Sequence, residues 1–416
     1  MPATNWAGNV TFGAVRRERP DDLPALQRLV AGSPRVRVLG TGHSFSPIAD
    51  SAGTLVSLAG LPRTVEVDGV RRRVEITGQW TYGALSVELE RAGLALANTA
   101  SLPHISVVGA CATGTHGSGV RNQALGAAVA EVTLLTAAGD LVTIDRDDPA
   151  FDGSVLALGR LGIVVAVTLE VVPTFRLAQT VVEDVADEGV EPGLEAILGA
   201  AYSVSVFTTW GPGRASQVWL KELAVGPPTQ DRWGGHDADG PRHPVAGMPA
   251  ENATPQLGEP GAWHERLPHF RLAFTPSSGE ELQSEYLVSM THATDAWRAV
   301  DAIRDVVHPR LHVSELRAVA ADPMWLSLTG GVPSVAFHFT WKPGPEIASA
   351  VAAVEEQLSP YDARPHWGKV FSTSRERLER LYPRLPEFRA LVGALDPDGR
   401  FGNEVVDGWL GLDPRG

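Results

Sequence analysis

The chain has 416 residues, room for two or three domains with large cores, and its 44% apolar and 20% charged residues are those of an ordinary globular protein, which excludes a disordered, collagen-like or coiled-coil chain. Lys and Arg number 35 against 49 Asp and Glu, and the resulting net charge of −14 repels phosphate backbones and anionic lipid, so neither nucleic acid nor a membrane surface is an expected partner. One cysteine, Cys111, cannot close an internal disulfide, and no signal-like or membrane-spanning apolar run is present, so a soluble, cytoplasmic protein is expected.

The first 175 residues alternate short strands, turns and helices. Asp21 or Asp22 is placed to cap a helix carrying Leu23, Leu26, Leu29 and Val30. Residues 36–39 read as a strand feeding the turn Gly40-Thr41-Gly42-His43-Ser44. Residues 64–77 predict a hairpin, with Val65 and Val67 before a turn at Asp68-Gly69 and Val74 and Ile76 after it. Leu85 and Leu89 mark a helix that Gly93 ends, and 131–144 predicts a second hairpin turning at Ala138-Gly139-Asp140.

From 176 to 362 the pattern shifts to longer strands, at 202–210, 216–222, 281–289, 311–319 and 334–342. Two amphipathic helices are expected among them, 294–307 (Trp297, Val300, Ile303, Val307) and 345–358 (Ile347, Val351, Val354, Leu358). Residues 226–262 hold seven Gly and seven Pro in 37 positions, too many for a helix or central strand, so a long surface excursion is expected, either a lid or a plain insertion. The fold class is α+β.

Familiar catalytic signatures are missing. There is no phosphate-binding Gly-x-x-x-x-Gly-Lys, no His-Glu-x-x-His, no Cys-x-x-Cys and no Gly-x-Ser-x-Gly, so ATPase, metal and serine-hydrolase chemistry are not expected. Two glycine-rich segments remain: Gly40-Thr41-Gly42-His43-Ser44 and Gly109-Ala110-Cys111-Ala112-Thr113-Gly114-Thr115-His116-Gly117-Ser118-Gly119. Small residues let a backbone approach a ligand and aim several N–H groups at one anion, which suits a pyrophosphate; two tight turns would look the same.

Strand geometry says more about the second half. Side chains two apart share a face, so Glu315 and Arg317 project together, and so do His338 and Thr340, opposite Phe337, Phe339 and Trp341. With these faces aligned in one sheet, the four form a hydrogen-bonding floor suited to a hydroxyl-rich ligand; the alternative is a solvated sheet face with an ordinary ion pair. A third segment, Arg364-Pro365-His366-Trp367-Gly368-Lys369, sets a lysine among aromatic residues, either buried with a lowered pKa or exposed.

Taken together these segments resemble the alditol oxidases, a branch of the vanillyl-alcohol oxidase superfamily of flavoproteins. The matching stretches are Thr4-Asn5-Trp6-Ala7-Gly8-Asn9, 35–45, Ser101-Leu102-Pro103-His104-Ile105-Ser106-Val107, 112–119, 263–270, Ser284-Glu285-Tyr286-Leu287 and Pro365-His366-Trp367-Gly368-Lys369, in one order along nearly the whole chain.

The resemblance implies a two-subdomain FAD-binding domain at 1–175, a substrate domain with a large antiparallel sheet at 176–362, and a C-terminal return to the FAD domain at 363–416. It places FAD against Gly40, Thr41, Gly42, His43, Ser44, Ser101, Ser106, Gly109, Thr113, Gly114, His116, Gly162 and Ile163, and makes the FAD covalent through His43. An electron-withdrawing imidazole on the ring makes the flavin a stronger oxidant, useful against an unactivated alcohol. The polyol-binding positions fall on Ser101, Glu315, Arg317, His338, Thr340 and Lys369, of which Arg317, Lys369, Glu315 and His338 are the catalytic candidates.

The implied reaction is hydride transfer from the terminal CH–OH of xylitol, sorbitol or a similar alditol to flavin N5, with O2 reoxidising the flavin to give aldose and H2O2. The expected enzyme is a monomer without metal. Two alternatives stand beside it: a sugar-lactone or aldose enzyme passing electrons elsewhere, and a catalytically silent sugar-binding flavoprotein.

Overall fold

The computed structural model describes residues 2–191, 193–211, 215–274 and 280–412, the side chains at 188, 215 and 216 apart. The first helix, Leu23–Ala31, starts where Asp22 accepts a hydrogen bond from Ala25 N at 2.7 Å, with proline in its first turn, and it buries Leu26 and Val30. Those two side chains pack on a parallel three-stranded sheet, Arg16–Glu18, Thr54–Val56 and Val36–Val38, with the middle position taken by Thr54–Val56.

A second, antiparallel sheet has five strands in the order Thr64–Asp68, Arg73–Thr77, Ile163–Glu170, Val129–Leu135, Leu141–Asp145. Both expected hairpins lie in it. The second turns at Gly139, whose φ of 90° suits glycine. The first turns later than its sequence suggests: Asp68 pairs with Arg73, leaving a four-residue loop in which Arg72 rather than Gly69 takes positive φ. Asp68 Oδ1 accepts from Val70 N (3.0 Å) and Arg71 N (2.9 Å), and this side-chain turn widens the loop.

The large sheet is antiparallel throughout. Its order is His236–Asp237, Arg176–Ala186, Ala215–Leu223, Ser203–Thr208, Leu311–Val319, Ser334–Trp341, Leu282–Ser289, Arg364–Pro365, with Gly261–Ala262 paired onto Arg176–Ala186. Arg176–Ala186 was not anticipated. A register shift between Val182 and Val185, with Asp184 at φ 59°, breaks the alternation that marks a strand.

One face of this sheet is packed by helices Leu194–Leu198, Ala293–Asp301 and Ile347–Leu358, and takes Val204, Val218, Leu316, Phe337, Phe339 and Trp341 into its core. The expected single helix 294–307 is two pieces, Ala293–Asp301 and Arg304–Val307. The backbone leaves helical angles at Ile303 (φ −110°, ψ 23°), and Val307 is buried beyond the break. The helix expected from 345 begins at Ile347, after Pro345.

The other face of the sheet turns toward the first two sheets. The chain beyond 370 returns there as helices Arg375–Leu381, Leu385–Leu395 and Glu404–Leu410, which share a core with Leu85, Leu89, Val107 and Leu156. Buried charges hold the return in place. The Arg160 guanidinium lies between Asp396 and Asp407, and Arg37 donates to the carbonyls of Ile48, Leu158, Gly159 and Phe401. Among the described residues no helix is long and apolar enough to cross a membrane.

Candidate active site

Where the two glycine-rich segments meet, the chain is drawn unusually close. A Cβ added at Gly40 or at Gly109 would lie 2.5 Å from the Ser106 Oγ, so a side chain at either position would force that hydroxyl to turn aside, and Ser106 N donates to Thr41 Oγ1 at 3.2 Å. Gly42, at φ 71°, turns the chain so that His43 follows into the space beside this contact.

That space is a cavity of about 780 Å³ running from the glycine segments to the polar face of the large sheet. Thr41, His43, Ser44, Ser101, Thr113, His116, Gly162 and Ile163 line it together with the three glycines above. Gly114 does not. It ends the helix Val107–Thr113 at φ 77° and packs on Leu156 and Leu328, so its glycine serves the helix cap and not the cavity. Residues of the 226–262 excursion, His243, Pro244, Val245 and Met248 among them, cover one side of the cavity.

The His43 ring stacks on Trp6, 5.6 Å between centroids and 23° between planes. Its Nδ1 is buried and makes no hydrogen bond among the described residues, and burial, with the nearby His104, lowers its pKa to about 4. The imidazole is therefore neutral at pH 7.

At the far end the sheet supplies a row of polar groups. Glu285, His338 and Glu315 stand directly opposite one another on three neighbouring strands, all on the face away from the helices. Arg317 and Thr340 extend this face, and Lys369 enters from the turn after Arg364–Pro365. The turn is fastened beside His43, because Phe45 N donates to Gly368 O (2.7 Å) and Ser46 Oγ to Trp367 O (2.8 Å). The polar face is buried, not solvated: Glu315, Arg317, His338 and Thr340 are each under 9% exposed.

Every charge in this row is paired. Arg317 donates to Glu285 Oε1 at 2.7 Å and to Ser101 Oγ at 3.2 Å, and its Nε lies 3.5 Å from Glu315. Lys369 Nζ sits 2.7 Å from Glu285 Oε2. Burial alone would push Glu285 up, but Lys369 and Arg317 outweigh it and hold the carboxyl well below its usual range. For Glu315, Arg317 and His269 do the same. His338 is uncharged, its pKa lowered to about 3 by burial and by Lys369, and neither ring nitrogen makes a hydrogen bond.

A family model described as FAD binding domain matches residues 14–145, and one described as D-arabinono-1,4-lactone oxidase matches 279–409. The alditol oxidase of a Streptomyces species is 48% identical over 413 residues, 97% of this chain and 99% of that protein. The chain belongs to the alditol oxidase family. As a member of that family it is an FAD-dependent oxidoreductase with the vanillyl-alcohol oxidase type of fold.

More distant members of the superfamily align as fully. The L-gulono-1,4-lactone dehydrogenase of Mycobacterium tuberculosis is 27% identical over 98% of this chain and 99% of its own. Cholesterol oxidase from B. sterolicum superposes with a TM-score of 0.76 at 16% identity, over 98% of this chain and 96% of that one, and so shares the fold.

Three site residues of this alditol oxidase family member were missed in the sequence. Glu285 lies on the cavity wall; it was legible as an acidic residue set directly before the apolar run Tyr286-Leu287-Val288 of the strand 281–289. His269 donates from Nε2 to Glu315 Oε1 (2.7 Å), and Lys221 stands behind it, Nζ 3.0 Å from His269 Nδ1 and bonded to the carbonyls of Leu267 and Pro268. Lys221 is 1% exposed, and burial, partly offset by Glu315, lowers its pKa to about 7. The signal was present: the chain has only three lysines, and this one interrupts the apolar run Val218-Trp219-Leu220.

Proposed function

We propose that the protein oxidises the terminal CH–OH of alditols such as xylitol and sorbitol, using FAD bound covalently through His43 and O2 as electron acceptor, and yields an aldose and H2O2. The observation that carries this reading is the position of Arg317 and Lys369, two cations converging on one wall of the cavity that His43 enters from the other end. The residues present fit FAD: glycines at Gly40 and Gly109 that let the backbone line the cavity closely, and a neutral His43 whose buried Nδ1 makes no hydrogen bond among the described residues. A neutral imidazole with a free lone pair is what a bond to the flavin's 8-methyl carbon requires. When bound, FAD accepts the hydride at N5 and returns the electron pair to O2.

The protein's own groups orient the alcohol. Arg317 and Lys369 hold the terminal hydroxyl oxygen and stabilise negative charge as it develops there. Glu315, His338 and Thr340 hold the neighbouring hydroxyls, and Ser101, already bonded to Arg317, holds one further along. Glu315 is so firmly ionised that it acts as a hydrogen-bond acceptor, not a base. The neutral His338, with both nitrogens unengaged, can accept a hydrogen bond from its hydroxyl or donate one to it, and the proton of the reacting hydroxyl leaves to water.

We read the chain as a cytoplasmic monomer divided at 175 and 362, in keeping with its lone buried Cys111 and its net charge of −14. A second reading, a sugar-lactone oxidoreductase, is favoured by the lactone oxidase model matching 279–409. Anaerobic titration with xylitol while the visible spectrum is followed, then H2O2 release across alditols, lactones and aldoses, decides between them. Bleaching by xylitol with peroxide on aeration is the expected result; bleaching by lactones alone overturns the proposal.

A further inference from the structure

Glu285 touches both cations of the proposed site at once. One carboxylate oxygen is 2.7 Å from the Arg317 guanidinium, the other 2.7 Å from Lys369 Nζ, and His116 Nε2 lies 3.4 Å from the first. The side chain is 1% exposed and lines the cavity from the strand Leu282–Ser289.

In the buried row at the sheet end of the cavity, two cations therefore face two carboxylates. Arg317 and Lys369 stand against Glu285 and Glu315. His269, His338 and His366 are uncharged because burial lowers each of them, and Lys221 lies behind His269, off the cavity wall. An arginine and a lysine converging without a counter-ion form an ordinary carboxylate site. Here that site is already filled by a carboxylate of the protein. An entering carboxylate meets Glu285 and Glu315 in a poorly solvated space, whereas a hydroxyl needs only one hydrogen bond from each cation and brings no charge.

We propose that Glu285 is a specificity-determining residue: by neutralising Arg317 and Lys369 it makes the site accept an uncharged polyol terminus and refuse sugar acids, the carboxylates that further oxidation of an aldose would produce. The inference rests on reading the site as an alditol oxidase's. Without Glu285, the same two cations should capture a carboxylate.

The test uses the holoenzyme, wild type, Glu285→Gln and Glu285→Asp, with xylonate as the probe. Its binding is followed both by perturbation of the flavin spectrum and by inhibition of xylitol oxidation. Wild type and Glu285→Asp, which keep the negative charge, should be insensitive to millimolar xylonate. Glu285→Gln should bind it at least tenfold more tightly than wild type and competitively with xylitol, while KM for xylitol rises. A folded, flavin-loaded Glu285→Gln as indifferent to xylonate as wild type overturns the proposal. So does wild-type enzyme that binds xylonate as tightly as xylitol, a result that decides even where Glu285→Gln fails to fold. Wild type that leaves xylitol unoxidised instead refutes the alditol reading, and the spectral titration still reports on Glu285.

Discussion

His269 Nε2 lies 2.7 Å from Glu315 Oε1, and the orientation of that ring is set from behind by Lys221. The ammonium donates to Nδ1, which places the ring proton on Nε2, where it points at the carboxylate. Glu315 is thus held as an acceptor by a chain of three buried side chains from three different segments.

Breaking the chain in the middle should separate position from packing. His269→Leu leaves Lys221 short of one acceptor and Glu315 short of one donor, at a cost of about 3 kcal/mol in stability and, we expect, a tenfold or greater loss in kcat/KM for xylitol. His269→Gln, which can accept at one end and donate at the other, should recover most of both. Chemical denaturation and steady-state kinetics on the three proteins make the comparison; equal behaviour of the Leu and Gln variants would show that the ring only fills space.

Much of this arrangement was legible from alternation alone. Glu315 and Arg317, His338 and Thr340 were assigned to one face by counting residues in twos, and their strands do lie side by side with Glu315 opposite His338. What counting could not give is the third dimension. Glu285 enters through a neighbouring strand whose place in the sheet is set by pairing partners far away in sequence, and His269 sits in an irregular stretch with no period at all. The strand Arg176–Ala186 was lost for a related reason, since its bulge erases the very alternation by which strands are recognised.

Arg317 should matter for rate and not for colour. It reaches Glu285 and Ser101 but lies at the sheet end of the cavity, away from the glycine segments. Arg317→Ala is expected to lose about 10²- to 10³-fold in kcat while the purified protein stays yellow. Turnover on xylitol within twofold of wild type would remove Arg317 from the proposed chemistry.

Acid precipitation tests the link through His43. The wild-type pellet should be yellow and its supernatant colourless. His43→Ala should give the reverse, with the fold retained, because the ring stacks on Trp6 at a partly open position and bears no buried charge. A colourless wild-type pellet would disprove covalent attachment.

Stability should follow pH with a defined sign. His43, His269 and His338 have folded pKa values lowered from 6.5 to about 4, 4 and 3, so below pH 6.5 the unfolded chain binds protons that the folded one refuses. Their contribution is complete above pH 6.5 and is lost as pH falls toward 4. Lys221 acts in another window. Lowered from 10.5 to about 7, it disfavours the fold in full below pH 7, and stability recovers as pH rises from 7 toward 10.5. Denaturation midpoints should therefore drop between pH 6.5 and 4, and Lys221→Met should flatten the rise between pH 7 and 9.5. Midpoints independent of pH from 4 to 7 would contradict the burial of these imidazoles.

The four carbonyls gathered by Arg37 have a consequence for biosynthesis. Arg37 stands at the base of the first glycine turn, yet the Phe401 carbonyl that completes its shell follows 364 residues later. At ordinary elongation rates that interval is on the order of 20–70 s. Throughout it the guanidinium can reach only its three nearer carbonyls, those of Ile48, Leu158 and Gly159, and the cavity lacks the part of its wall that Phe401 supplies. The cavity is thus walled on every side only once the last residues of the chain have been made.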